Sequence, residues 1–487
     1  MKHPLFVKLA ALAAVVLLLL IGLGLVADVV HDRQRYRSLT AQSVADSLAG
    51  PQTLVGPLIH SACVESWDAE TGKGDERRLV EQRREFRLTA MPELLRVQST
   101  AGMEERARGL HRVQAFNLQA QVQARWASLA SLQPRATVKN SRIQCGAPIL
   151  MMGVSDARGI RMARLTLGDE TPVALKPGTF HPVYSRGLHA TLPEALRGRT
   201  EGLAVVLDLE LVGTERVAMV PLGDTTEVQL ASGWPHPSFG GRFLPAEREV
   251  RSDGFTARWR LSSLATTAQA DVAEGKRLCA AGAEAQPGEL ADLAYPSPQG
   301  ECTDSFSAAF VDPVNPYTLS DRATKYGVLF IALTFVAVGL VELMGRGPGG
   351  VPLRVHPVQY LLVGSALCSF FLLLVALSEH LAFGAAYAIA AAACVLLLGH
   401  YASHVLGGAR RGLPLAAGMA LLYGLLYVLL QLEQTALAVG AVALFLVLAA
   451  VMVLTRKVNW YGLAAGGPAP TPAPTDPGAL AHPGEAA

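Results

Sequence analysis

The sequence predicts a membrane protein in two parts. One is a six-helix α-helical transmembrane bundle; the other is a large, mainly antiparallel β domain, sandwich-like or built on a bent sheet, inserted between the first helix and the other five. Three observations carry this reading. Six long runs are almost free of charge, and each reaches or approaches the roughly 20 residues that a helix needs to cross about 30 Å of hydrocarbon. Between the first run and the rest, apolar and polar residues alternate at period two. The chain is 51% hydrophobic, too apolar for a soluble protein, yet 17% charged, too polar for a bundle alone.

Residues 1–27 form the N-terminal transmembrane anchor. Lys2 and Lys8 precede the apolar run as they would in a secretory signal. The run is longer than a signal's hydrophobic core, however, and Leu25 stands where a small residue would have to precede a cut after Ala27. An uncleaved helix is the better reading. Residues 28–49 continue it as an amphipathic stalk, with Val29, Tyr36, Leu39, Val44 and Leu48 at mostly helical steps among charged residues. Gly50-Pro51 ends the stalk, because proline has no backbone donor to continue a helix.

Residues 50–319 make the β domain. The stretches 86–90, 95–98, 116–122 and part of 203–212 alternate, and turn signals at 71–74, 176–178, 222–224 and 252–254 separate such runs. One large domain and two smaller lobes both fit. Cys63, Cys145, Cys279 and Cys302 lie here, and in an oxidising compartment four cysteines allow three connectivities. Cys279 and Cys302 flank a Gly/Ala/Pro-rich stretch, so their bond is the disulfide candidate, contributing roughly 3–4 kcal/mol by loop closure. Free, buried thiols are the alternative.

Residues 320–461 hold the five-helix block, at 326–344, 358–377, 381–406, 413–432 and 435–455, with Ser320-Asp321 as an N-cap signal for the first. Residues 462–487, rich in Pro, Ala and Gly, read as a disordered cytoplasmic tail. Lys2, Lys8, Arg346, Arg354, Arg410, Arg411, Arg456 and Lys457 all fall on one face of the helices, whereas 378–380 and 433–434 carry acid and no Lys or Arg. The positive-inside rule makes the basic face cytoplasmic, puts both termini there, and leaves the β domain outside.

Lys+Arg 42 against Asp+Glu 40 gives a net charge of +2, which removes electrostatic support for a nucleic-acid surface. HExxH, GxSxG, Walker A and SxxK signatures are absent from the β domain, so no catalytic residue, metal or cofactor is assigned and the protein is not read as an enzyme. The most unusual polar stretch is 234–247. Its Trp234, His236, Phe239 and Arg242, on a Pro/Gly-stiffened loop, make a candidate binding surface. The competing and simpler reading is that Trp234 and Phe239 plug the core of the sheet. In the helices, Glu342, His400, His404, Glu379, His380 and Glu433 all fall near ends, where they reach water; transporters place such groups at depth. His400 and His404 have metal-site spacing but no third ligand.

Several strings then recur in one order along the chain: Gly50-Pro-Gln-Thr-Leu-Val-Gly-Pro-Leu58, Ser155-Asp-Ala-Arg-Gly159, Trp234-Pro-His-Pro-Ser-Phe239 with Phe243-Leu-Pro-Ala246, and Thr318-Leu-Ser-Asp-Arg-Ala-Thr-Lys-Tyr326. They continue with His356-Pro-Val-Gln-Tyr-Leu-Leu-Val-Gly364, Leu377-Ser-Glu-His380 and Thr455-Arg-Lys-Val-Asn-Trp-Tyr461. In these the chain resembles the CreD family of bacterial inner-membrane, cell-envelope-integrity proteins. The segment after Leu58 and the stretch from Cys279 to Cys302 depart from the family pattern, so the disulfide candidate borrows nothing from it. The resemblance implies a Gram-negative inner-membrane protein linked to the Cre two-component system, to colicin tolerance and to envelope integrity under β-lactam stress. It implies no catalytic residue. The expectation is an envelope-maintenance protein that acts through binding or scaffolding, with membrane lipids and an envelope protein or envelope component as partners. A transporter or flippase of an envelope component and an envelope enzyme with a scattered site are the rivals.

Overall fold

The computed structural model describes residues 4–71, 78–108, 111–168, 171–278, 302–310, 316–344, 355–405, 408–432 and 436–456. The tail 462–487 and Cys279 lie outside the described residues, and with Cys279 the Cys279–Cys302 candidate. The chain divides into a helical unit, Met1–Gln34 with Val314–Ala487, and a strand-rich unit, Arg35–Pro313.

Helix α1 (Pro4–Ser47) contributes to both units, and the short α2 (Ala268–Glu274) belongs to the strand-rich one. The helical unit continues with α3 (Pro316–Lys325), α4 (Gly327–Met344), α5 (Pro357–Ser378), α6 (Phe383–Val405), α7 (Ala409–Gln431) and α8 (Ala436–Thr455). Among the described residues five helices are long and apolar enough to cross a membrane, or six spans if the α3–α4 pair, bent by 45°, counts as one. The bent pair replaces the expected simple helix capped at Ser320-Asp321. The turn starts earlier because Pro316 is tolerated in a first turn, where its missing donor has no partner to lose.

Leu19, Leu23 and Val26 of α1 pack with Phe330 and Ile331 of α4, Phe370 and Phe371 of α5, Tyr387 of α6 and Tyr423 of α7. Gly364 makes the α1–α5 approach possible, since a Cβ there would stand 2.1 Å from a Leu19 methyl. Lys8 pairs with Glu342, which also accepts the Tyr360 hydroxyl at 3.0 Å. At the other end of α1's buried stretch, Arg33 lies 3.2 Å from Glu379 and His31 3.4 Å from Asp321. These polar pairs bracket the apolar core and fix which helix ends meet.

The strand-rich unit has two large sheets on one core and, among the described residues, a separate two-stranded pair, Arg277–Leu278 with Cys302–Thr303. The first runs Pro237–Gly241, Phe306–Phe310, Arg216–Met219, Gln52–Thr71, Ile149–Val154, Gly187–Thr191 and Lys176–Pro177, with Arg78–Ala90 and Arg142–Cys145 also paired to Gln52–Thr71. The second runs Glu247–Arg251, Gly254–Ser262, Thr225–Ser232, Leu94–Arg108, His111–Trp126, Leu203–Thr214, Ile160–Leu167 and Thr171–Val173. Most pairings are antiparallel; Gln52–Leu54 with Val217–Met219, Leu94–Ala101 with Thr225–Ser232, and Arg277–Leu278 with Cys302–Thr303 are parallel. Alternate residues of both sheets, among them Leu54, Ile59, Met152, Leu118, Val122, Leu209 and Trp259, meet in a shared interior, which makes one domain rather than two lobes. A smaller core of Leu58, Met151, Tyr184, Leu222 and Val272 covers the opposite face of the first sheet.

Candidate functional site

On that opposite face four polar side chains from distant parts of the chain come together. His60 stands on Gln52–Thr71, Arg87 on the paired strand Arg78–Ala90, His189 on Gly187–Thr191, and His181 on the loop that closes over them. All three histidines are buried. His60 Nε2 donates to the Thr179 carbonyl at 2.9 Å, so Nδ1 carries the lone pair; it has no partner among the described residues. The Val183 and Tyr184 amides donate to His181 Nδ1, both at 3.3 Å. That leaves its Nε2–H opposite the Arg87 guanidinium, 3.4 Å away, which has no lone pair to accept it. Arg87 Nε–H is buried without a partner among the described residues.

Burial, then the charge of Arg87, pushes His181 down to about 4, and burial likewise lowers His60. His60 and His181 are therefore neutral, proton-sensitive rings beside one fixed cation. Among the described residues no group of His, Cys, Asp and Glu could hold a metal. Sequence reasoning missed this cluster: His60 and His181 are 121 positions apart, and only the closing of the 179–184 loop over the strands unites them.

Stretch 234–247 is not the expected loop throughout. Pro237–Gly241 is an edge strand on Phe306–Phe310, and a further strand begins at Glu247. Pairing wins because period-two alternation puts Phe239 over the core, edge to face with Phe255 (5.6 Å) and Trp259 (5.8 Å). Trp234 also packs against that core, its indole donating to the His236 carbonyl at 3.0 Å. His236 and Arg242 are exposed, with Arg242 3.3 Å from Asp304. The four residues do not converge on one pocket.

The recurring strings gather at joints. Gln52 donates to the carbonyls of Asp156 (3.0 Å) and Val212 (3.1 Å), and the Gly50 amide donates to the Asp156 carboxylate at 3.2 Å. Arg158 grips that carboxylate at 2.6 Å and caps the last turn of α1 through the carbonyls of Ala45 and Asp46. Gly159 has no room for a side chain, since a Cβ would sit 2.2 Å from the Val212 carbonyl oxygen. In the helical unit His356 opens α5 with a capping box completed by Gln359.

Comparison with known proteins follows the same lines. The family model described as inner membrane protein CreD matches residues 4–461. Inner membrane protein CreD of Escherichia coli is 35% identical over 461 residues, 95% of each chain. A Legionella pneumophila protein described as nutrient-binding aligns with 53% of this chain and 84% of its own, at 8% identity and TM-score 0.24. A zinc metallopeptidase of Deinococcus radiodurans aligns with 68% of this chain and 86% of its own, at 11% identity and TM-score 0.21. Likenesses that weak carry no argument about fold or chemistry.

Proposed function

Because the chain belongs to the CreD family of inner membrane proteins, we propose that it maintains the cell envelope by binding, with its strand-rich unit in the periplasm and both termini in the cytoplasm. Membrane lipids surround the helices, and an envelope protein or envelope component is the partner of the soluble unit. Envelope integrity, colicin tolerance and a functional link to the Cre two-component system follow from the family resemblance. The observation that supports binding over chemistry is how the polar groups are used. Gln52, Asp156, Arg158, His356 and Glu342 hold backbone or pair with each other, which is the work of a scaffold.

The exposed end of stretch 234–242 is the contact surface in this reading, with His236 and Arg242 outward and Trp234 and Phe239 holding the stretch on the core. A photo-crosslinking residue at His236, in cells, is expected to yield a discrete protein adduct that disappears when Arg242→Ala is added. No adduct from a folded, membrane-inserted protein would overturn the surface.

A further inference from the structure

Beside the smaller core, where the loop over the histidines rejoins the first sheet, lies a pocket of about 450 Å³, within the roughly 300–1,000 Å³ of ordinary ligand sites. Two exposed arginines line it, Arg186 and Arg277. The rest of the lining is mainly apolar, with Val154, Pro182, Val183 and Leu278, and it contains no Asp or Glu. Arg186 Nη1 donates to the Ser155 carbonyl at 3.2 Å, a neutral acceptor, and the Arg277 side chain has no hydrogen bond or ion pair among the described residues. Carboxylates close to these segments in sequence are engaged elsewhere: Asp156 lies 2.6 Å from Arg158, Asp271 and Glu274 lie 2.6 and 3.9 Å from Lys276, and Asp304 lies 3.3 Å from Arg242. The backbone that carries the two arginines is also braced. The Tyr184 hydroxyl donates to the Lys276 carbonyl, which joins the segment of Arg186 to that of Arg277. The Val154 amide donates to the Arg186 carbonyl at 3.1 Å, and His181 accepts the Val183 and Tyr184 amides.

We propose that this pocket binds a small organic oxyanion, a carboxylate or phosphate head on an apolar body. Two guanidinium groups without a carboxylate partner select an anion, and their planar donor forks match the oxygens of either head. A cation would meet two like charges here, and a neutral ligand would gain nothing from them. Val154, Pro182, Val183 and Leu278 give the body apolar surface to cover, which a bare inorganic ion would leave wet. Because the arginine-bearing segments are already tied together through Tyr184, little ordering is left for the ligand to impose.

The pocket shares no residue with stretch 234–242, so the inference goes beyond the envelope-contact reading and does not rest on it. The full chain, in detergent and phosphate-free buffer, would be titrated by calorimetry with phenyl phosphate, benzoate, inorganic phosphate and benzyl alcohol. Saturable binding of phenyl phosphate or benzoate is expected, the tighter of the two identifying the head. Inorganic phosphate, which lacks the apolar contact, is expected to bind about tenfold or more weakly than phenyl phosphate, and benzyl alcohol, which lacks the charge, is expected not to saturate. Arg186→Gln/Arg277→Gln is expected to weaken the ring anion about tenfold or more. Val183→Asp keeps both arginines, adds a carboxylate to the lining, and is expected to weaken binding in the same direction. Failure of both ring anions to saturate, unchanged affinity in either variant, or equal binding of benzyl alcohol would overturn the site. Inorganic phosphate binding as tightly as phenyl phosphate would overturn the apolar body. None of these outcomes bears on the His236 adduct, so the two readings fail separately.

Discussion

His181 shows how far one residue's surroundings set the acid limit of the strand-rich unit. An exposed histidine takes up its proton near 6.5, whereas the folded ring beside Arg87 refuses it until about 4. Between those values the unfolded chain binds the proton and the folded one does not. Stability is therefore full above pH 6.5 and is lost as the pH falls toward 4, by about 3 kcal/mol at most for this ring, with His60 acting in the same direction. Glu65 works in a lower window. Hydroxyls of Ser141 and Thr137, then backbone amides, hold its carboxyl down to about 2, so its contribution survives down to about pH 4.5 and fades below. Denaturant midpoints of the strands are expected to fall between pH 7 and 5 in the parent and to fall less steeply there in His181→Gln, where only the lowered His60 still contributes. A flat parent profile would refute the burial argument. None of this was legible in the sequence, where His60, His181 and His189 carry no shared spacing. The aromatic anchors were: Trp234 and Phe239 already offered core packing as the simpler reading, because a large ring on a Pro/Gly-rich stretch gains most by covering a sheet.

The element that organises the soluble unit is the 20-residue strand Gln52–Thr71, which pairs with four others. Its length was hidden, since it is buried on both faces over its first half and so lacks the alternation that marks shorter strands. Helix runs were easier to see, because every turn of a membrane helix must be apolar, and the bounds of α5 and α6 fall within two residues of those expected. Cysteine pairing behaved like strand pairing. Cys63 faces Cys145 across neighbouring strands and is bonded to it, with a sequence separation of 82 that no local pattern announces. The bond ties Arg142–Cys145 to the long strand beside the segment that Glu65 holds through Thr137, Val138 and Ser141. By loop closure it restrains the unfolded chain by roughly 4 kcal/mol. Cys63→Ser/Cys145→Ser is therefore expected to lower unfolding free energy by about 2–4 kcal/mol, and increased hydrogen exchange is expected first in 137–145. A loss below about 1 kcal/mol would mean that the Glu65 contacts already supply the restraint.

At the level of the whole molecule the open quantity is the number of crossings, and it turns on the α3–α4 pair. Helix α4 alone is 18 residues, about 27 Å, slightly short of the hydrocarbon, so it needs α3 or its flanks to complete a span. Two sets of contacts favour a full crossing. Glu342 at the far end of α4 meets Lys8 near the start of α1, while Asp321 on α3 meets His31 beyond the apolar part of α1. The pair thus runs antiparallel to α1 over the same stretch, from one polar girdle to the other. If the pair crosses, it makes six crossings with α1, α5, α6, α7 and α8 and returns residue 456 to the side of Lys8; if it re-enters, five crossings leave residue 456 opposite. A single cysteine at Arg456, compared with one at Arg37, separates the cases by labelling intact spheroplasts with a membrane-impermeant maleimide. Arg37→Cys is expected to label directly and Arg456→Cys only after permeabilisation. Direct labelling of both would reduce the bundle to five spans, and labelling of Arg456→Cys alone would invert the proposed orientation and remove the strand-rich unit from the periplasm.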